Sequence, residues 1–136
     1  MSTAKLVSIV GVALVLATLP THAHHSFSAQ FDVNKPLKMT GTVTSVEWQN
    51  PHSWFYIDVK DDAGTVTNWG WELASPNLLL RSGWTRTTLE VGDVVTVEGF
   101  HAHNGSNVAN ARVIVLTQTG ETLLGASTPS PTGSIR

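Results

Sequence analysis

The chain has no cysteine among its 136 residues, and this absence removes several kinds of site at once. Without a thiol there is no disulfide, no thiolate metal centre, no haem thioether linkage and no cysteine catalysis. Attachment of a lipid to a cysteine is excluded for the same reason. Any metal that the chain binds must therefore be held without thiolate ligands.

Charged residues are also scarce, since Asp, Glu, Lys and Arg make up only 13% of the sequence. Eight Lys and Arg stand against ten Asp and Glu, which gives a formal net charge of -2. Binding to nucleic acid needs clustered Lys and Arg to neutralise phosphates, and the sequence contains no such cluster. We therefore expect no nucleic-acid partner.

The recognisable catalytic motifs are missing as well. The sequence contains no nucleophile elbow, phosphate loop, dinucleotide fingerprint or HExxH pattern. Its serines do not lie in a context that would activate one of them as a nucleophile. We therefore predict no catalytic residue, and we expect a protein that binds something without transforming it.

The first 23 residues have the order of a secretory signal peptide. Lys5 precedes an apolar run over 6–19, and small residues precede a cleavage point after Ala23. The run has 14 residues, fewer than the roughly 20 that a transmembrane helix needs. Cleavage predicts a periplasmic or secreted protein that begins at His24 and has no membrane partner. The alternative is an uncleaved N-terminal anchor.

Composition then divides the rest of the chain. After the signal comes a short polar segment, then short β-rich runs separated by turn residues, and finally a stretch dominated by Ser, Thr, Pro and Gly. We predict four parts: a signal peptide (1–23), an N-terminal arm (24–36), a β-domain (37–124) and a flexible tail (125–136).

Alternating apolar residues predict five strands and one short helix. The apolar parity slips near Thr44-Ser45, which indicates a β-bulge. Ser75 followed by Pro76 is typical of a helix start, and Gly83 of its end. In chain order, the predicted elements are strands Leu37–Trp48, Trp54–Lys60 and Thr65–Leu73, the helix Pro76–Arg81, strands Val94–Phe100 and Val108–Leu116, and an apolar stub, Thr122–Leu124.

This order predicts an all-β fold, a small five-stranded OB-fold-like Greek-key barrel with one short helix between strands three and four. The alternatives are a generic β-sandwich or an open meander. Strand parity further predicts six residues that point into one shared core: Gly41, Val43, Phe55, Ile57, Val95 and Val97.

Five short motifs occur in an order that resembles one known family. They are HHSF (24–27), GTVTSVEWQNPH (41–52), WGWEL (69–73), SPNLLLRSGW (75–84) and LEVGDVVTVEG (89–99). Together they resemble a family of small exported bacterial proteins that is known only as a domain of unknown function. The resemblance implies export and one small β-barrel-like domain, and it supplies no catalytic residues.

The mature N-terminus is a candidate metal site. The α-amine and the ring of His24 can chelate one ion, with His25 or His52 supplying a further nitrogen. A site made of nitrogen ligands favours copper(II), with zinc as the second choice. The alternative is that His24 and His25 form a polar arm that binds nothing.

A second candidate site lies around strands two and three. Trp54 is the tryptophan that we expect to be exposed, on a face where OB-folds bind ligands. Glu47 and Glu72 can lie near His52 if strands one to three are neighbours, and a histidine with two carboxylates suits ligand binding, metal binding or acid–base work. The alternative is that His52 caps its turn while both glutamates face water.

His101 and His103 are two residues apart, so an extended strand would point both rings to one face. That arrangement is half of a zinc or copper site. Because Asn104-Gly105 indicates a tight turn directly after them, we favour two exposed histidines on a hairpin loop.

These observations leave two main functions open, and a hydrolytic or redox enzyme that uses His52, Glu47 and Glu72 is a more distant third. The first is an exported, non-catalytic domain that binds copper or zinc through His24, His25 and His52. The second is a metal-free periplasmic module that binds a small molecule or a partner protein through the aromatic face of strands two and three, with Trp54, Glu47 and Glu72 at the site.

Overall fold

A computed structural model describes residues 27–125. The predicted signal peptide, His24, His25 and residues 126–136 lie outside this range, so the predictions about them stay predictions. Within it, no helix is long and apolar enough to cross a membrane. The elements are α1 (Phe27–Gln30), β1 (Phe31–Glu47), β2 (Trp54–Lys60), β3 (Val66–Glu72), α2 (Pro76–Arg81), β4 (Val94–Ala102), β5 (Val108–Leu116) and β6 (Thr122–Leu124).

The fold is all-β, as predicted, and its strands form one sheet. The strand order is β3-β2-β1-β4-β5-β6, with antiparallel pairing between these neighbours. In addition, β3 pairs with β5 in parallel, where Trp71 lies opposite Ala109. The sheet has six strands in the described part of the chain, so the prediction of five was wrong. The apolar stub became a strand because Leu123 is buried and pairs with Ile114 of β5.

β1 begins at Phe31, six positions before the predicted start at Leu37. Phe31 pairs with Ala102 of β4 and is only 3% exposed, so burial of its ring holds this segment on the sheet. The pairing is irregular between Phe31 and Pro36, where a proline without an N–H is tolerated. The strand thus extends into residues that we expected to form an arm.

The predicted bulge in β1 is confirmed. Val43 pairs with Ile57 and Ser45 pairs with Tyr56, which leaves Thr44 as the extra residue. Such a bulge bends a strand and increases its twist. β1 can therefore pair with β2 through its C-terminal part and with β4 through most of its length.

The predicted core is confirmed. Phe55, Ile57, Val95 and Val97 have no exposed area, Val43 is 1% exposed, and Gly41 is buried. Trp71 and Leu73 of the β3 region, Ile114 of β5 and Leu79 of α2 complete this core. Most of the tryptophans also contribute to it: Trp71 and Trp84 are buried, and Trp48 and Trp69 pack against it with part of their surface exposed.

The short helix α2 has the predicted bounds and the predicted ends. The Ser75 hydroxyl accepts a hydrogen bond from the Leu78 N–H at 3.4 Å, Pro76 occupies the first helical turn, and Gly83 has a φ of +92° just after the helix. Leu79 is buried while Leu78 and Leu80 are exposed. One apolar side chain thus fixes this helix to the core.

Candidate functional site

A cleft of about 360 Å³ lies where β2 begins and β3 ends, beside the β4–β5 turn. Its floor is the outer face of β2 and β3, and its walls are the chain around the α1–β1 junction and the turn after β4. We call it the Trp54–Glu72 cleft, and it is lined by Ala29, Gln30, Phe31, Trp54, Glu72, Ala102, His103, Asn104, Ser106 and Val108.

Trp54 and Glu72 share this face because they are opposite each other in the register of β2 and β3. Directly paired residues of antiparallel strands project to the same side of a sheet. Phe55 and Trp71, their chain neighbours, project to the other side and are buried in the core. The alternation that fills the core therefore also places an indole and a carboxylate side by side on the outer face.

Glu72 is buried although it lies on the outer face of the sheet. It is 5% exposed, because the β4–β5 turn and the segment around Phe31 cover it. Burial raises the pKa of its carboxyl group above the ordinary value, and the nearby His52 lowers it in part. Charged residues are rarely buried unless they have a partner, which makes Glu72 the most unusual ionisable group of the described chain.

His52 is the partner of Glu72 on the side of the β1–β2 turn. Its Nδ1 lies 3.6 Å from Glu72 Oε1 and 3.2 Å from the carbonyl oxygen of Leu73. A carbonyl only accepts, so Nδ1 carries a proton and donates to Leu73. His52 therefore does not cap its own turn: its backbone partner, Leu73, lies just after β3, and its ring also contacts one of the two glutamates.

Glu47 does not join that pair. It is opposite Trp54 in the β1–β2 register, so Glu47, Trp54 and Glu72 form a row across three strands. Two strand spacings separate the two carboxylates by roughly 9–10 Å, with Trp54 between them. Glu47 is exposed and accepts a hydrogen bond from Gln49 Nε2 at 3.3 Å. Within residues 27–125, no three His, Asp or Glu side chains come together in a way that could hold a metal ion.

Tyr56 lies next to this row, on the same face of β2. Burial raises the pKa of its hydroxyl group above the ordinary value, and the negative charge of Glu47 raises it further. The outer face of the sheet thus carries an acidic side chain on either side of Trp54.

The two histidines at the end of β4 make different contacts, and our expectation of a shared hairpin loop is wrong for His101. β4 continues to Ala102, so His101 is a strand residue, and its Nε2 donates to the Ser106 carbonyl at 2.8 Å. Its ring packs against Trp69, with 5.4 Å between ring centroids. The β4–β5 turn begins only after His101, because β4 pairs with β5 up to this residue, which lies opposite Ala109.

His103 joins the N-terminal segment to the cleft. Its Nε2 donates to the Ser28 carbonyl at 3.0 Å, its backbone N–H donates to the Gln30 carbonyl at 2.9 Å, and its Nδ1 lies 3.9 Å from Asp32 Oδ2. The ring of Phe27 adds contacts with Phe31 and Phe100, at centroid distances of 5.4 and 6.1 Å. These contacts hold α1 at the wall of the cleft.

The comparison with known families agrees with the motifs. A family model described as a family of unknown function (DUF6152) matches residues 12–111, well over half of the chain. The chain belongs to this family. The match confirms the resemblance that the motifs indicated, and DUF6152 brings no assigned activity with it.

The DUF6152 match includes every residue that lines the Trp54–Glu72 cleft and ends within β5. No curated protein matches the chain closely enough to supply a function.

The buried carboxyl group makes a testable prediction about stability. Because the pKa of Glu72 is raised in the folded state, its neutral form contributes stability that is complete below the unfolded pKa. That contribution is lost as the pH rises through the folded pKa. Glu72→Gln keeps the shape and stays neutral, so the variant should gain stability relative to the wild type as the pH rises.

Urea unfolding of both proteins at about pH 4 and about pH 8 measures this difference. We expect the variant to be the more stable protein at the higher pH, by a margin that shrinks in acid. A difference that does not change with pH would contradict the assignment of Glu72 as the titrating group.

Proposed function

We propose that this protein is a non-catalytic binding domain that holds a small molecule in the Trp54–Glu72 cleft. One observation carries the proposal: a carboxylate that is 5% exposed lies beside a half-buried indole in a cleft of about 360 Å³. Pockets for small ligands have volumes of roughly 300–1,000 Å³ and combine apolar walls with a few polar groups. This cleft is at the lower end of that range.

We propose further that the sheet is an OB-fold-like barrel. The parallel pairing of β3 with β5 supports it, because this pairing joins strands that are far apart in the order β3-β2-β1-β4-β5. In OB-folds, ligands bind on the face of strands two and three, between the loops that follow strands one and four. The Trp54–Glu72 cleft occupies the corresponding position, and His52 lies in the loop after β1.

The place of action that we propose is the periplasm or the exterior of the cell. The order of Lys5, the apolar run 6–19 and the small residues before Ala23 supports export. Mass spectrometry of the exported protein tests it, since we expect a mature chain that begins at His24. A mature chain that retains Met1 would contradict it.

Titration of the labelled domain with benzyl alcohol, followed by nitrogen–proton NMR, tests the cleft. We expect the signals of the Trp54 indole and of the backbone amides 102–108 to shift, because an aromatic probe would contact both sides of the cleft. The indole of Trp48, which packs against the core under Arg86 at 4.9 Å and does not line the cleft, is an internal control. Trp54→Leu should weaken binding severalfold. Shifts centred on Trp48, or equal binding by the variant, would contradict the proposal.

A second proposed function is copper(II) binding by the mature N-terminus, with zinc as the weaker alternative. Support comes from the sequence and from one contact: His103 bonds to Ser28, four residues after His24, so a cleft histidine lies beside the chain that leads to the amine. A nearby imidazole is the third nitrogen that such a chelate needs, and His25 and His52 are the other candidates.

Copper titration of the processed protein and of a version with one extra residue before His24 tests this proposal. The extension converts the α-amine to a peptide nitrogen and leaves every imidazole in place, so affinity should fall by roughly tenfold or more. His24→Ala should weaken binding similarly. His103→Ala and His52→Ala show which ring is the third ligand. Equal affinity of the native and extended proteins would refute the chelate.

A further inference from the structure

We propose that the Trp54–Glu72 cleft selects a small organic cation, an ammonium group attached to a flat apolar body. The inference rests on the proposed small-molecule function and names the chemical class of the ligand. It depends on the charges in the cleft, on the position of the aromatic rings and on the hydrogen bonds already made by the polar lining residues.

The charges of the lining residues favour a cation. Glu72 is the one carboxylate among the residues that line the cleft, and neither Lys nor Arg is among them. The exposed Glu47, next to Trp54 in the same row, adds charge of the same sign. Glu72 would repel an anionic ligand, and the lining has no Lys or Arg to bind that ligand.

The aromatic rings are placed for the same class of ligand. Trp54 projects from the same face as Glu72, so an ammonium group near the carboxylate would also lie near the indole. The indole is the aromatic ring that attracts cations most strongly. The other apolar residues that line the cleft, among them Ala102 and Val108, suit the apolar body of such a ligand.

Three of the polar lining residues, His103, Asn104 and Ser106, already make hydrogen bonds within the protein, which disfavours a neutral polyol. Asn104 Oδ1 accepts hydrogen bonds from the backbone N–H of Ser106 at 3.0 Å and from its hydroxyl at 2.7 Å. His103 Nε2 donates to Ser28 at 3.0 Å. A sugar-like ligand would have to compete for these groups, whereas an ammonium group needs mainly Glu72.

Burial makes the carboxylate a strong partner for a cation. Removal from water disfavours the charged form of Glu72, and an ammonium group in contact with it would compensate that cost. His52 faces the same carboxylate at 3.6 Å, and His103 and Asp32 face the cleft wall from the N-terminal side. Binding should therefore weaken in acid, where Glu72 becomes neutral.

Three probes of matched shape separate the classes: benzylammonium, benzyl alcohol and benzoate. Nitrogen–proton NMR titration of the full mature protein at neutral pH gives the three affinities. We expect benzylammonium to bind roughly tenfold or more tightly than benzyl alcohol, as a charge-assisted hydrogen bond implies. Benzoate should bind most weakly.

Glu72→Gln tests the residue behind that preference. The amide keeps the shape of the side chain and removes its charge, so the variant should bind benzylammonium and benzyl alcohol within about twofold of each other. Glu121→Gln removes one negative charge from an exposed turn remote from the cleft and is the control for net charge. It should keep the wild-type preference.

The outcomes separate the two proposals. If benzyl alcohol binds in the cleft as tightly as benzylammonium, the cation inference is wrong and the binding function stands. If the preference for the cation survives in Glu72→Gln, the inference is also wrong. If none of the three probes shifts the Trp54 indole at millimolar concentration, both proposals fail.

Discussion

Gly99→Ala is expected to lower the free energy of unfolding by about 3 kcal/mol or more. Gly99 lies in β4, where the pairing with β5 shifts register between Glu98 and Gly99. A methyl group on Gly99 would overlap the backbone carbonyl of Asn110 and press against the ring of Trp71, which would lie only 3.2 Å from the added carbon. Backbone atoms inside a sheet cannot move aside cheaply, so β4 and β5 would have to separate.

Gly70→Ala is the matched control, because its φ is also in the range open to any residue. A methyl group there would meet the edge of the Tyr56 ring at 3.0 Å, and that flexible side chain is able to shift outward. We expect a loss of less than about 1 kcal/mol. Urea unfolding of both variants makes the comparison. Similar midpoints for Gly99→Ala and the wild type would mean that β4 and β5 are not in contact at this point.

Ile57→Ala should lower the free energy of unfolding by about 2–5 kcal/mol, as removal of a buried aliphatic side chain does. Ile57 has no exposed area and lies in the middle of β2, opposite Val43 on one side and Trp69 on the other. Strands on both sides hold the backbone in place, so the cavity left by the side chain can close only in part.

Val66→Ala is the control for this substitution, since Val66 is 55% exposed at the start of β3. Its loss should stay below about 0.5 kcal/mol. Chemical unfolding of the two variants, with equal slopes against urea, gives both values. A loss below about 0.5 kcal/mol for Ile57→Ala would mean that the outer and inner faces of β2 are exchanged.

Local chemistry made some elements predictable from the sequence. β2 has the predicted bounds because its apolar residues alternate without interruption between Trp54 and Lys60. Helix α2 has the predicted bounds because Ser75, Pro76 and Gly83 determine its two ends. In both cases the deciding residues are close together in the chain.

The start of β1 was not predictable in that way. Phe31 and Val33 alternate with polar residues, but Asn34, Lys35 and Pro36 then interrupt the pattern, so the alternation is too short to indicate a strand. Its place in the sheet depends on Ala102, which is distant in the sequence and close only in the fold. The same long-range contact explains why β4 extends past Phe100 and includes His101.

The candidate site, too, was predictable from the sequence only where neighbouring strands determine it. That Trp54 and Glu72 are neighbours follows from the register of two consecutive strands, and the sequence was enough to select both residues. The burial of Glu72 depends on chain segments from both ends of the domain, around Phe31 and Val108. No pattern in the sequence indicates that these segments meet, so the cleft itself was not predicted.

The pairing of β1 with β4 has a consequence for how quickly the native state forms. Met39 pairs with Val97, and the chain between them contains β2, β3 and α2. Sheets that depend on such distant pairings fold on the order of milliseconds to seconds, because a long loop must close before the contacts stabilise it. We propose that this chain is exported, and an exported chain has to cross a membrane channel before it folds. Slow pairing of β1 with β4 would leave time for that translocation.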